Sequence, residues 1–110
     1  MSEQMGMYNG WSNRETWAVN LWIANDGYAG GIDNVIDAIR DWKKEDADLS
    51  KEDLVDKTAE YLEQVITETL DEELGTYGKA GLGADLFNGA LRSVDWIELA
   101  ESYVEDAENE

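Results

Sequence analysis

Carboxylates hold most of the chemical scope of this chain. Asp33, Asp37 and Asp41 recur every four residues, and Glu52, Asp56, Glu60 and Glu63 follow at steps of four, four and three. On helices each set forms a column rising about 6 Å per four-residue step. Two such columns on adjacent helices make a negative ridge that could compete with DNA for a basic channel. DNA-binding proteins gain affinity by pairing Lys and Arg with closely spaced phosphates. These seven acids are the candidate partner-binding residues. The competing reading is a solvated helical surface, in particular one adapted to high salt, and a chain with only five lysines suits it.

Other chemistries find little to work with. There is no histidine and no cysteine, which excludes imidazole acid–base catalysis, thiolate nucleophiles, disulfides and the usual zinc sites. Gly75, Gly78, Gly81 and Gly83 surround Lys79, but Gly78–Lys79 is followed by Ala80 where a phosphate-binding P-loop needs Ser or Thr, and a helix precedes it instead of a strand. An EF-hand starting at Asp46 fails at its sixth position, Lys51 for glycine, and at its twelfth, Lys57 for glutamate. Glycosidase chemistry needs two carboxyl groups facing across a cleft, and the pattern indicates none. The expectation is a non-enzymatic protein with no cofactor and no metal.

Charge points the same way. Twenty-six acids against eight bases give a formal charge of −18, which disfavours direct contact with nucleic acid or anionic membranes. Residues 1–30 carry three acids and one base, whereas residues 33–74 carry fifteen acids and five bases. With 43% apolar residues the chain can still bury a core, unlike a disordered acidic tail. No apolar run has membrane-spanning length and the first residues lack a signal-peptide pattern, so a cytoplasmic protein is expected.

The elements that must carry these acids read as helices throughout. Ser12 and Glu15 have capping-box spacing, placing a first helix from Asn13. Trp17, Ala18, Leu21 and Trp22 recur helically, and Val19 and Ile23 make the segment apolar nearly all round, the mark of a buried element. Asn20 in such a helix needs a hydrogen-bond partner, expected from another loop. Trp11, Trp17 and Trp22, at intervals of six and five, cannot share one face. Trp11 is therefore the rim residue, either packed as a staple or exposed as a partner anchor.

Asn25–Asp26–Gly27 ends this helix and Tyr28 to Gly31 is a turn. A second helix has the stripe Ile32, Val35, Ile36, Ile39 and Trp42. Ser50 and Asp53 cap a third, from Lys51 to about Leu74, with Leu54, Val55, Thr58, Leu62, Val65 and Ile66 inward. A short helix over residues 84–91 points Leu86, Phe87, Ala90 and Leu91 inward. Ser93 caps a last helix on which Ile97, Ala100, Tyr103 and Val104 face the core. The expectation is one all-α domain over residues 1–110, a compact bundle of about five helices around the buried Trp-rich first one. Residues 1–8 form an N-terminal arm, residues 75–83 a Gly-rich loop, and residues 105–110 a fraying acidic tail.

Two segments resemble a family of small uncharacterised proteins of bacteriophages, haloarchaea and assorted bacteria. The opening segment carries Gly10, Trp11, Asn13, Glu15, Thr16, Trp17, Asn20, Leu21 and Trp22. The closing segment carries Val94, Asp95, Trp96, Glu98, Leu99, Ala100 and Glu101, with Asp95 where the family usually has asparagine. The resemblance implies a phage or mobile-element setting and a counter-defence role of the anti-CRISPR or anti-restriction type. In that setting the partner is a DNA-binding protein or nuclease effector complex of a host defence system.

Overall fold

The computed structural model describes residues 10–74 and 81–109. The N-terminal arm over residues 1–8 and most of the Gly-rich loop lie outside the described residues. Among the described residues five α-helices follow in order: α1 (Arg14–Asp26), α2 (Ile32–Glu45), α3 (Lys51–Leu74), α4 (Leu82–Ser93) and α5 (Trp96–Asn109), with a 3-10 turn, Tyr28–Gly30, between α1 and α2. No strand occurs among the described residues. No described helix is long and apolar enough to cross a membrane.

The most extensive helix–helix contact joins α3 to α5, and α2 also packs on α5. The core therefore runs through Leu54, Leu62 and Ile66 of α3, Leu99, Ala100, Tyr103 and Val104 of α5, Val35 and Ile39 of α2, and Ile23 of α1. Each large aliphatic side chain buried there contributes about 1.5–3 kcal/mol of transfer free energy.

The first helix is not the hub that its composition suggests. Only Thr16 and Ile23 of α1 are buried, and Trp22 is 50% exposed. The inward line is Thr16, Asn20 and Ile23, at i, i+4 and i+7. Two of those three are polar, so hydropathy points to the wrong face. The third and last helices take the centre because their inward stripes are longer and almost wholly apolar.

Several ends also differ from expectation. Helix α1 is capped by Asn13, whose side chain accepts from the Thr16 amide at 2.8 Å, while Ser12 is drawn to Glu98. Helix α5 is capped by Asp95, whose Oδ1 accepts from the Glu98 amide at 3.0 Å; Ser93 instead donates back to the Gly89 carbonyl at 3.2 Å. Helix α4 begins inside the anticipated glycine loop, at Leu82, and lies at the periphery. Leu86 is 65% exposed, Ala90 is exposed, and only Phe87 and Leu91 of the expected inward set are half-buried. The acidic end is helical through Asn109 because Tyr103 and Val104 are buried and Ala107 packs on the core. Lys51 also reaches Glu105 and Glu108 at 3.9 and 3.7 Å.

Other features agree with the periodicity. Ser50 Oγ accepts from the Asp53 amide at 3.0 Å and opens α3 at Lys51. Gly27 closes α1 at φ 78°, a left-handed conformation that costs glycine little. The 3-10 turn adds Ala29 at φ 58°, its carbonyl held by Asn34 Nδ2 at 2.9 Å.

Candidate interaction surface

The opening and closing segments lie side by side, and their polar residues bond to each other. Glu98 accepts from Ser12 through both its hydroxyl, at 2.7 Å, and its amide, at 3.1 Å. Asn13 Nδ2 donates to the Ser93 carbonyl at 2.7 Å. The hydroxyl of fully buried Thr16 accepts from the Asp95 amide at 2.8 Å, and Asn20 Oδ1 accepts from Tyr103 at 2.6 Å. Asn20 thus finds its partner on a helix rather than in a loop. Burial and the negative charge of Asp106 raise the Tyr103 pKa well above its ordinary value. Trp11 is half-buried and packs against the core. This constellation joins α1 to the α4–α5 corner.

The candidate acids divide between two places. Glu52, Asp56, Glu60 and Glu63 are exposed along one flank of α3. Asp56, Glu60 and Glu63 form one wall of a cavity whose other wall includes Arg92, Asp95 and Ile97. Glu52 and Asp56 border a second cavity, with Ile97 and Glu101 opposite. Glu60 and Glu63 continue with Thr67 and Asp71 along a third. Asp33, Asp37 and Asp41 are exposed on the outer side of α2, opposite its buried Val35, Ile36 and Ile39.

Helix α2 meets α3 on a different flank. There Trp42 packs edge-on against Tyr61 with centroids 5.6 Å apart, and Lys57 lies over the Trp42 ring at 5.2 Å. Residues 57 and 61 lie more than a quarter turn around α3 from residues 52, 56 and 63. Asp56, Glu60 and Glu63 share their cavity with Arg92, Asp95 and Ile97 at the α4–α5 corner, while Lys57 and Tyr61 meet α2 at Trp42.

Ile97 and Glu101 are the surface residues that pattern reading missed. Ile97, expected in the core, is 43% exposed and sits among the acids of the α3 flank. Its position one turn before Glu101 on α5 carries no sign that the two belong beside Glu52 and Asp56. The continuation to Asp71 was legible, since the steps from Glu63 through Thr67 to Asp71 are four and four.

A further concavity, about 360 Å³, lies between α1 and α3 and is lined by Ala18, Val19, Trp22, Tyr28, Ile66, Leu70 and Glu73. The Trp22 and Tyr28 rings meet edge-on, with centroids 5.8 Å apart and planes at 73°. The Tyr28 hydroxyl donates to Glu73 Oε2. That bond, then burial and the charges of Glu73 and Asp26, raise the Tyr28 pKa. Hydropathy places Trp22 inward, whereas the structure leaves it 50% exposed at this corner; its spacing from the Thr16–Asn20–Ile23 line is the sequence signal for that position.

Together these features define a small, strongly acidic, all-α protein whose two signature segments brace one corner of a helical bundle. The chain belongs to DUF7249, a family of unknown function, with the match spanning residues 4–106. No curated protein and no solved structure matches it.

Proposed function

We propose that this protein is a non-enzymatic inhibitor encoded by a phage or mobile element, which mimics DNA and occupies the basic nucleic-acid-binding surface of a host defence nuclease or its effector complex. The observation that carries the reading is the exposed line Glu52, Asp56, Glu60 and Glu63 on one flank of a single helix. From residue 52 to residue 63 a helix rises about 17 Å, so four carboxylates there give about one charge per 5–6 Å. One strand of DNA offers about one phosphate per 3.4 Å of axis. The column is sparser than a strand, and Asp71 and Glu101 extend and widen it. Asp33, Asp37 and Asp41 offer a second face to the same kind of partner. Ile97, apolar among these acids, supplies a contact that DNA itself lacks and favours one protein surface over other basic surfaces.

A second reading has its own observation. Exposed acids also occur outside both columns, at Asp46, Asp48, Asp106 and Glu108, which fits a halophile-adapted binding or structural domain whose charge serves solubility. One experiment separates the two. The protein is used to capture partners from a host lysate at about 0.1 M and about 1 M salt, spanning weak to strong screening. Mimicry predicts a DNA-binding nuclease or effector complex captured at low salt and displaced by added DNA. It further predicts loss of capture when Asp56, Glu60 and Glu63, or Asp33, Asp37 and Asp41, are changed to lysine with the helical signal intact. Unchanged capture by both variants overturns mimicry; no such capture, with helicity rising in high salt, marks the halophilic reading.

A further inference from the structure

We propose that the concavity between α1 and α3 is a docking pocket for a single arginine side chain of a partner protein. This is independent of the DNA-mimicry reading, because it concerns a different face and a different set of residues. The floor, made by Val19, Ile66 and Leu70, is apolar and suits a three-carbon aliphatic stem. The walls are the indole of Trp22, 50% exposed, and the ring of Tyr28, at 73° to it. Aromatic faces attract cations through their quadrupole, and tryptophan does so most strongly.

Glu73 completes the pocket and decides which cation fits. Its Oε2 accepts from Tyr28, which holds the phenol ring in place against Trp22, and an ionised carboxylate has acceptor sites beyond that one bond for an incoming donor. Asp26 lies close enough to act on Tyr28 electrostatically, so its negative charge adds to that of Glu73 on the Tyr28 side of the pocket. A quaternary ammonium has no N–H to give to Glu73. A lysine ammonium is a compact and strongly hydrated charge. A guanidinium is planar, weakly hydrated and rich in donors, so it can stack on an indole and hydrogen-bond a carboxylate at the same time.

The test uses the intact protein labelled for NMR, observing the Trp22 indole N–H and the Leu70 and Val19 methyls. Salt is kept high enough to screen diffuse attraction to the net charge of −18. N-acetyl-arginine amide is titrated in parallel with N-acetyl-lysine amide, tetramethylammonium and N-acetyl-norleucine amide. The pocket predicts saturable millimolar shifts at these three residues, with arginine binding tightest. Glu73→Gln, which keeps the side-chain length, should weaken arginine about tenfold, and Trp22→Ala should abolish the response with the helical signal unchanged. Absence of saturable shifts overturns the proposal. So does an equal response to norleucine amide, which marks a merely apolar cleft, and so does an equal response to lysine amide or tetramethylammonium. Arginine binding that survives Glu73→Gln at full strength also overturns it.

Discussion

The Tyr103 hydroxyl donates to Asn20 Oδ1 at 2.6 Å, linking the last helix to the first across 83 positions of chain. Tyr103 is 1% exposed, so water cannot easily replace the bond. Tyr103→Phe leaves the Asn20 oxygen without that donor and should cost about 1–2 kcal/mol. Asn20→Leu should cost a similar amount, and the double variant less than the sum, because each single change strands the other partner. Urea denaturation of the four proteins checks this cycle.

The same tyrosine predicts an alkaline limit to stability. Its pKa is raised above the ordinary 10.0 by burial and then by Asp106, so the folded state holds the phenolic proton more tightly than the unfolded chain does. The stabilisation is complete below pH 10 and is lost as pH rises beyond it, with a slope of at most about 1.4 kcal/mol per pH unit. Stability measured from about pH 9 to about pH 11.5 should fall in the parent and fall less steeply in Tyr103→Phe. A smaller slope should remain from Tyr28, whose pKa is also raised, chiefly by its bond to Glu73.

Thr16 is fully buried and accepts from the Asp95 amide. Thr16→Val preserves shape but leaves that amide without its acceptor, at an expected cost of about 1–3 kcal/mol. Thr16→Ser keeps the hydroxyl and should cost less than Thr16→Val. Amide hydrogen exchange at Asp95 should quicken in the valine variant and stay near the parent rate in the serine variant.

Gly30 stands at φ 79°, and a Cβ there would lie 2.6 Å from Asn34 Nδ2. Asn34 is not free to retreat without giving up its bond to the Ala29 carbonyl. Gly30→Ala therefore combines left-handed backbone strain of about 1–2 kcal/mol with a side-chain clash, and should lower the melting temperature by several degrees. Gly27→Ala has a similar φ of 78° but open space around it, so its loss should be the smaller of the two in the same thermal scan.

How far the sequence could be read depended on where the apolar residues lay. Ile32, Val35, Ile36, Ile39 and Trp42 and the long stripe from Leu54 to Ile66 named their helices and inward faces because each stripe is apolar and its opposite face charged. The Ser50–Asp53 cap was legible for the same local reason. In α1 the inward residues Thr16 and Asn20 are polar, and the neighbouring tryptophans pulled the expected core to the wrong helix. In α4 the apolar residues outnumber the places available, so Leu86 is left outside.

The candidate acids were legible as helical columns, since i, i+4 spacing depends on chain geometry alone. Which neighbours each column meets was not, because it follows from how α2 and α3 pack in the bundle, as at Trp42 and Tyr61. Nor could a residue list show that Ile97 and Glu101 join the α3 flank, or that Trp22, Tyr28 and Glu73 form one pocket.

The sequence by itself determined the all-α class, four of the five helices to within a residue or two at most ends, and a charge of −18 carried on helical columns. Those depend on periodicity, caps and composition, which act over a few residues. Only the tertiary structure decided that α3 and α5 form the centre, that Asn13 and Asp95 are the caps and Ser12 is not, and which polar residues are bound to each other. The reason is that each of those outcomes is a competition between partners about 80 residues apart, such as Ser12 with Glu98 and Thr16 with Asp95, and local spacing carries no information about who wins.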